Sequence, residues 1–400
     1  MKFTTIAESC VLHARIGWQG LTKKEYLDEG DYYLVTGVDF DNGHIAFERC
    51  HFVTKDRYDQ DQHIQLGLDD VLVTKDGTIG KVAIIDAPLS KPTTLNSGVF
   101  VVRPLDKEVL LPRYLMCVLS SNLFSRFIER IKVGCTVPHL NQEKFYHFEF
   151  PLPDIEQQHQ IVDVFDNLHQ AMDSRKKQLE IHDKIIDSYF YELFGDPKEN
   201  PCGWDIVNIS EVLAGSVSNG FFAKRDAYHD NGNVCVLGVA NIVNRMYSSI
   251  DNLPTTDGTE KDLKKYSVKY GDMLFCRSSL VAAGIGKASI VPKGTPENVL
   301  FECHVIRLPL DLSKCVPEFM QVLTTTAFFR NQILSQAKTA TMTTISQDGI
   351  LRANVILPPI DLQQKFLEVV TEIMESKAII QRTIEKMNIF EESLLQKYVG

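Results

Sequence analysis

Asp70-Val-Leu-Val-Thr-Lys75-Asp-Gly-Thr-Ile-Gly80-Lys81-Val-Ala-Ile-Ile85 organises the chain, because it occurs twice. The copy runs Asp272-Met-Leu-Phe-Cys-Arg277, takes a four-residue insertion, and resumes as Gly284-Ile-Gly286-Lys287-Ala-Ser-Ile-Val291. The surrounding sequence repeats with it. Pro112-Arg-Tyr114 returns as Pro317-Glu-Phe319, Phe124 as Phe329, and Asn141-Gln-Glu-Lys-Phe145 as Ser346-Gln-Asp-Gly-Ile350. Leu152-Pro153-Asp-Ile-Glu-Gln157-Gln158 returns as Pro358-Pro359-Ile-Asp-Leu-Gln363-Gln364, and Gly195 as Gly400. The offset stays between about 201 and 206 residues. A period this long is a duplicated domain, because solenoid units repeat every ~20–50 residues.

Each repeat reads as mostly β. A short opening segment (Ile6-Ala-Glu8, Ile209-Ser-Glu211) leads to a strand ending near Gly37 or Gly238. Short β-branched or apolar runs follow at 71–74, 82–85 and 99–102, with copies at 273–276, 289–291 and 304–308. Bounded by Gly, Asp and Pro, such runs are strands of a twisted sheet. A helix is expected to start at Pro112 and at Pro317, proline being favoured at the first helical position. Its apolar face in the first copy runs Tyr114, Leu115, Val118, Leu119, Phe124, Phe127, Ile128. A polar loop and one short strand close each repeat.

Beyond Pro153 and Pro359 comes the strongest periodicity. Ile161, Phe165, Leu168, Met172, Arg175, Leu179, His182, Ile186, Tyr189 and Leu193 step by four and three, as do Phe366, Val370, Ile373, Lys377, Ile380, Ile384, Met387, Glu391, Leu394 and Tyr398. This is the 3.5-residue seam of a coiled coil. About 40 helical residues span roughly 60 Å at 1.5 Å each, and neither helix buries its stripe alone, so the two are expected to pack together. Arg175, His182, Lys377 and Glu391 fall in the seam; they are read as setting register or carrying charge to solvent, not as chemistry. The fold class is therefore α+β: two tandem repeats, each followed by a long helix. The expected boundaries are 1–153, 154–199, 200–358 and 359–400.

The net charge of −10 argues at first against a nucleic-acid partner, but its distribution removes the objection. Residues 154–199 carry −6 and residues 359–400 carry −2, so the acidity sits on the two helical spacers. The repeats are near neutral, and any nucleic-acid footprint on them is local. Nine cysteines, scattered and without a Cys-x-x-Cys pair, fit reduced thiols in the cytoplasm. No run of 18 apolar residues predicts a membrane span.

Catalytic signatures are missing. Gly80-Lys81 and Gly286-Lys287 are not phosphate loops, since Val82 and Ala288 stand where a hydroxyl would hold magnesium. The Asn/Asp-Pro-Pro-Tyr/Phe signature of adenine methyltransferases is absent, and Leu357-Pro-Pro-Ile360 is apolar. His147-Phe-Glu149 with Pro201-Cys202 lacks the second cysteine of a zinc deaminase. Asp262-Leu-Lys264 is only half of a nuclease metal motif. No cofactor and no metal are expected, and the chain is expected not to be an enzyme.

The repeated loops suggest binding instead. The first places Lys75, Asp76, Thr78 and Lys81 at a strand end; its copy places Arg277, Ser278, Ser279 and Lys287 there. Lys and Arg contact phosphates, and Arg also grips guanine through two bonds. Glycines let backbone approach a partner closely. The alternative is a hairpin turn with solvated cations. The second loop supplies Thr136, His139 and Asn141, and in the copy Thr341, Thr343 and Thr344, all able to bond phosphates or base edges. Its alternative is a hydroxyl-capped connector. Arg15 beside Trp18, and Lys224-Arg225 after Phe221-Phe222, pair cations with aromatics, which suits nucleic acid or protein contact, the alternative for Trp18 being a place in the core.

In this order and twice over, these pieces resemble the specificity subunit of type I restriction–modification enzymes over the whole length. The resemblance rests on 70–81 and 272–287, on Pro112 and Pro317, and on the Pro-x-x-x-Gln-Gln segments opening each spacer. It implies that each repeat is a target recognition domain reading one half-site of double-stranded DNA. It implies that the spacers form an antiparallel coiled coil setting an unread gap. It also implies two methylation subunits and two restriction subunits as partners. The competing reading is a two-headed protein-binding scaffold without DNA specificity.

Overall fold

The computed structural model describes residues 2–17, 20–132, 139–339 and 342–400. In it, the alternation within the duplicated stretch is divided between two cores. Val71 and Val73 join Ile84, Phe100, Val102 and Tyr114 on one side, while Leu72 joins Val35, Leu95, Val99 and Val101 on the other. The copy divides the same way. Met273 and Phe275 lie with Ile306, Leu308 and Phe319, and Leu274 and Cys276 lie with Leu237, Val299 and Phe301. Successive strand residues face opposite sides of a sheet. A sheet covered on both faces therefore needs unbroken apolar runs such as these.

The chain forms two compact units, Met1–Lys176 with Gln381–Gly400, and Lys177–Ile380. In the first, the central antiparallel sheet has the order Cys10–Ala14, Val99–Pro104, Val71–Thr74, Val82–Ile84. A second sheet has the order His51–Val53, Tyr32–Val35, Thr93–Leu95, the last pair parallel. The second unit repeats this with Ser218–Asn219, Val305–Pro309, Asp272–Cys276 and Ala288–Ile290, and with Thr255–Thr256, Val234–Leu237 and Val299–Phe301. Opening and closing strands pair antiparallel in both units: Phe3–Thr5 with Glu149–Pro151, and Asp205–Asn208 with Asn354–Leu357. The opening segments are short helical turns held by capping boxes, Thr5 with Glu8 and Asn208 with Glu211.

The helix expected at Pro112 starts there but is not continuous to Ile128. It runs Pro112–Ser120, breaks, and resumes as Asn122–Lys132; its copy runs Pro317–Thr325 and resumes as Ala327–Gln336. At the break Ser121 and Thr326 are extended, and each hydroxyl donates to the carbonyl three residues back, Val118 O at 2.6 Å and Leu323 O at 2.7 Å. Side-chain bonds of this kind compete with the helical ladder.

The Pro-x-x-x-Gln-Gln segments fasten each long helix to its repeat through one glutamine. Gln158 Oε1 accepts from Leu111 N at 2.9 Å, and its Nε2 donates to Val109 O and Pro153 O. Gln363 Oε1 accepts from Val316 N at 2.8 Å, and its Nε2 donates to Lys314 O and Pro358 O. Both side chains are fully buried. The true correspondence is thus Pro153 with Pro358 and Gln158 with Gln363, one residue off the alignment drawn from sequence.

The long helices span Ile155–Phe194 and Ile360–Tyr398. Inside the first unit, His169 meets Glu391 at 2.7 Å, while Met172 and Lys176 line one recess with Ile384 and Asn388. Inside the second, His182 meets Ser376 at 3.1 Å, Asp183 pairs with Lys377, and Phe190 packs on Phe366. Numbers rise on one helix as they fall on the other, so in each unit the helical segments run antiparallel. The polar seam residues His182, Lys377 and Glu391 are thereby bonded across the pair.

The His169–Glu391 contact gives a pH dependence. The hydrogen bond to Glu391 raises the His169 pKa above the ordinary histidine value against the opposing effect of burial, helped by the charges of Glu391, Asp166 and Asp173. A raised folded-state pKa stabilises fully below the unfolded value of about 6.5, and the contribution is lost as pH rises through the folded value. His169→Gln should therefore melt below the parent protein in acid, and thermal melts of the two should converge at alkaline pH.

Candidate nucleic-acid interface

Each central hairpin ends in a loop whose first residue is a cation. In the first unit the loop is closed by Gly80 N on Thr74 O (2.9 Å) and Thr74 N on Lys81 O (3.0 Å). In the second it is closed by Gly286 N on Cys276 O (2.8 Å) and Cys276 N on Lys287 O (2.8 Å). Gly80 has φ +85° and Gly286 φ +63°. A Cβ on Gly286 would stand 2.3 Å from Ile333 Cγ2. These two glycines answer to the left-handed turn and the helix behind it, rather than to an approaching partner.

The cation itself is clamped in the same way twice. Lys75 N donates to Gly98 O (2.8 Å), and its carbonyl accepts from Leu140 N (2.9 Å). Arg277 N donates to His304 O (2.8 Å), and its carbonyl accepts from Ile345 N (3.0 Å). Leu140 and Ile345 belong to the second repeated loop, so in both units the strand-end loop and the helix-to-strand loop are stitched together at the cation. Lys75 Nζ lies 5.0 Å from the Phe100 ring centre, and burial draws its pKa below the usual lysine value, Asp76 opposing. Arg277 Nη1 donates to Cys303 O at 3.0 Å.

The flanking polar groups differ. In the first unit His139 Nδ1 bonds Asp76, and Asn141 caps the short helix Gln142–Tyr146 through Glu143 N at 2.8 Å. Thr78 and Lys81 are exposed. In the second unit Ser278 and Ser279 pair as a strand with Thr344 and Thr343, and Lys338–Thr339 pairs on the far side of Thr343–Thr344. Ser278 Oγ lies 2.8 Å from His304 Nδ1, and Lys287 Nζ donates to Asn244 Oδ1 at 2.6 Å.

Comparison with known proteins bears on this doubled, cation-centred arrangement. A family model, Type I restriction modification DNA specificity domain, matches residues 19–181. The MjaIX specificity subunit of Methanocaldococcus jannaschii is 26% identical over 353 residues, 82% of this chain and 76% of that protein. The EcoKI specificity subunit of Escherichia coli K12 is 21% identical over 411 residues, 95% of this chain and 85% of that protein. The chain is similar to type I restriction–modification specificity subunits. Two solved structures share the fold, each at 14% identity. The S subunit from M. genitalium has a TM-score of 0.52 and covers all of this chain, with 96% of its own length matched. A chain from a study of complex assembly and conformational transition of the type I system has a TM-score of 0.56, covering 99% of this chain and 97% of its own.

Some residues singled out from sequence lie elsewhere. Arg15 is interior, 1% exposed: it donates to Leu95 O, Thr94 Oγ1, Gln60 Oε1 and Arg57 O at 3.0–3.3 Å. Acceptors from two distant segments, 57–60 and 94–95, hold its guanidinium inside. Thr343 is also buried, its hydroxyl 3.0 Å from Thr339 Oγ1, whereas Thr344 is exposed. Lys224 and Arg225 are exposed on a turn whose neighbour Phe221 pairs with Glu302, next to the Cys303 carbonyl that holds Arg277. Trp18, Thr136 and Thr341 lie outside the described residues. Sequence reasoning passed over Leu280 and Val281, exposed at 84% and 67% within the four-residue insertion; the insertion itself was the available signal.

Proposed function

We propose that this specificity subunit reads a bipartite DNA target, one half-site per unit, through the stitched loops around Lys75 and Arg277. The observation that carries the reading is the identical backbone clamp on both cations. A hairpin turn needs the Thr74–Lys81 and Cys276–Lys287 bonds. It does not need a cation tied at the same point to a second polar loop in both units. The long helices set the separation of the half-sites. Methylation subunits dock on the helices, whose outer face carries Ile389 and Phe390, exposed at 67% and 53% and suited to a protein partner. Two methylation and two restriction subunits supply the chemistry, and this chain supplies recognition without catalysis. The assembly works in the cytoplasm.

Lys75, Lys81, Arg277 and Lys287 are tested singly as alanine variants in the assembled methyltransferase. Losing a phosphate contact should weaken binding to every sequence and lower the salt slope by about one unit. Losing a base-reading arginine should cost roughly 1–3 kcal/mol at one base pair only. Unchanged affinity and slope in all four variants would reduce these loops to plain turns.

A further inference from the structure

The two hairpin tips are not copies of one another. The first exposes Asp76, Gly77 and Thr78. The second is four residues longer, and its most exposed side chains are Leu280 and Val281, at 84% and 67%. Ile285, from the same loop, is fully buried. The loop had an apolar interior within reach, yet it presents two aliphatic side chains outward.

The tip is held in place. Ser279 Oγ donates to Val281 O (2.7 Å) and accepts from Val281 N (3.2 Å), and Gly284 N donates to Val281 O (2.9 Å). Arg330 braces the base, Nη2 donating to Ala283 O (3.2 Å) and Ile285 O (2.8 Å). Counting from the matched Phe124 and Phe329, the first unit has Ser125 where the second has Arg330. The brace is present where the insertion is. Arg277 and Lys287 stand at the two ends of the loop, so the apolar pair is framed by cations. That frame fits a polyanion carrying a small apolar group, and an apolar protein surface does not call for it.

We propose that Leu280 and Val281 read thymine in the half-site of the second unit by packing on its C5-methyl group. This rests on the DNA-reading function above and names one of its specificity determinants. The thymine methyl is the apolar feature among the base edges of the major groove, which is about 12 Å wide. Arg330 is a positioning residue that fixes the tip. The first unit, with a polar tip, makes no such contact.

The test is equilibrium binding of the assembled methyltransferase to its target duplex, with each thymine replaced in turn by deoxyuridine, which deletes only the methyl. Arg277→Ala assigns the half-site, since it relaxes only the sequence read by the second unit. The expected result is about a fourfold loss at a thymine of that half-site, the effect of one apolar carbon, and none in the other. The doubly substituted Leu280→Ser, Val281→Ser protein should bind thymine and uracil duplexes equally. Arg330→Met should lose the discrimination, and Arg330→Lys, retaining a donor, should recover part of it. A half-site without thymine, or equal binding of thymine and uracil by the parent protein, would overturn the proposal while leaving DNA reading intact. Failure to bind any duplex specifically would overturn both.

Discussion

Exchanging Gly286 for alanine should destabilise the second unit by roughly 2–5 kcal/mol and abolish reading of its half-site. Two costs add. A left-handed conformation costs a residue with a Cβ roughly 1–2 kcal/mol, and Gly286 has φ +63°. Overpacking adds roughly 1–3 kcal/mol, because the new carbon would stand 2.3 Å from Ile333 Cγ2, inside a buried cluster. Gly77→Ala is the control. Gly77 has φ +69°, but nothing lies within 4 Å of its Cβ position, so only the first cost applies. Thermal unfolding should rank parent, Gly77→Ala and Gly286→Ala in that order. Equal melting of both variants would show that the Ile333 contact does not constrain the turn.

Removing one heptad from each long helix should move the half-sites closer and leave their sequences unchanged. Seven residues at 1.5 Å shorten a helix by about 10 Å. DNA rises about 3.4 Å per base pair, so the unread gap should contract by up to about three base pairs. A full heptad keeps the seam in phase. With the readers in the hairpin loops, as proposed, the half-sites themselves should persist. A new half-site sequence with the old gap would show that the helices do not measure the separation.

The fold was legible where its determinants are local. Val71-Leu-Val-Thr and Met273-Leu-Phe-Cys are strands because short apolar runs bounded by turn residues suit a sheet covered on both faces. The seam residues Ile161, Phe165, Phe366 and Val370 are buried as their spacing requires. What was illegible depends on partners far along the chain. Gln158 bonds a backbone group 47 residues away, and nothing in Pro-x-x-x-Gln-Gln names that partner. Arg15 looks like a surface cation until Leu95 and Thr94 close around it. The helix breaks at Ser121 and Thr326 turn on one hydroxyl each, which the apolar face running past them conceals. At the candidate interface the cations were visible in sequence. The clamp that joins Lys75 to Leu140 and Arg277 to Ile345 was not, because backbone pairing between loops leaves no mark on residue type.

Methylome sequencing of the host with and without this gene tests the central claim most directly. The account predicts a gene-dependent methylated motif made of two fixed sequence blocks separated by a constant stretch of unread base pairs. A single contiguous motif, or a methylome indifferent to the gene, would contradict it.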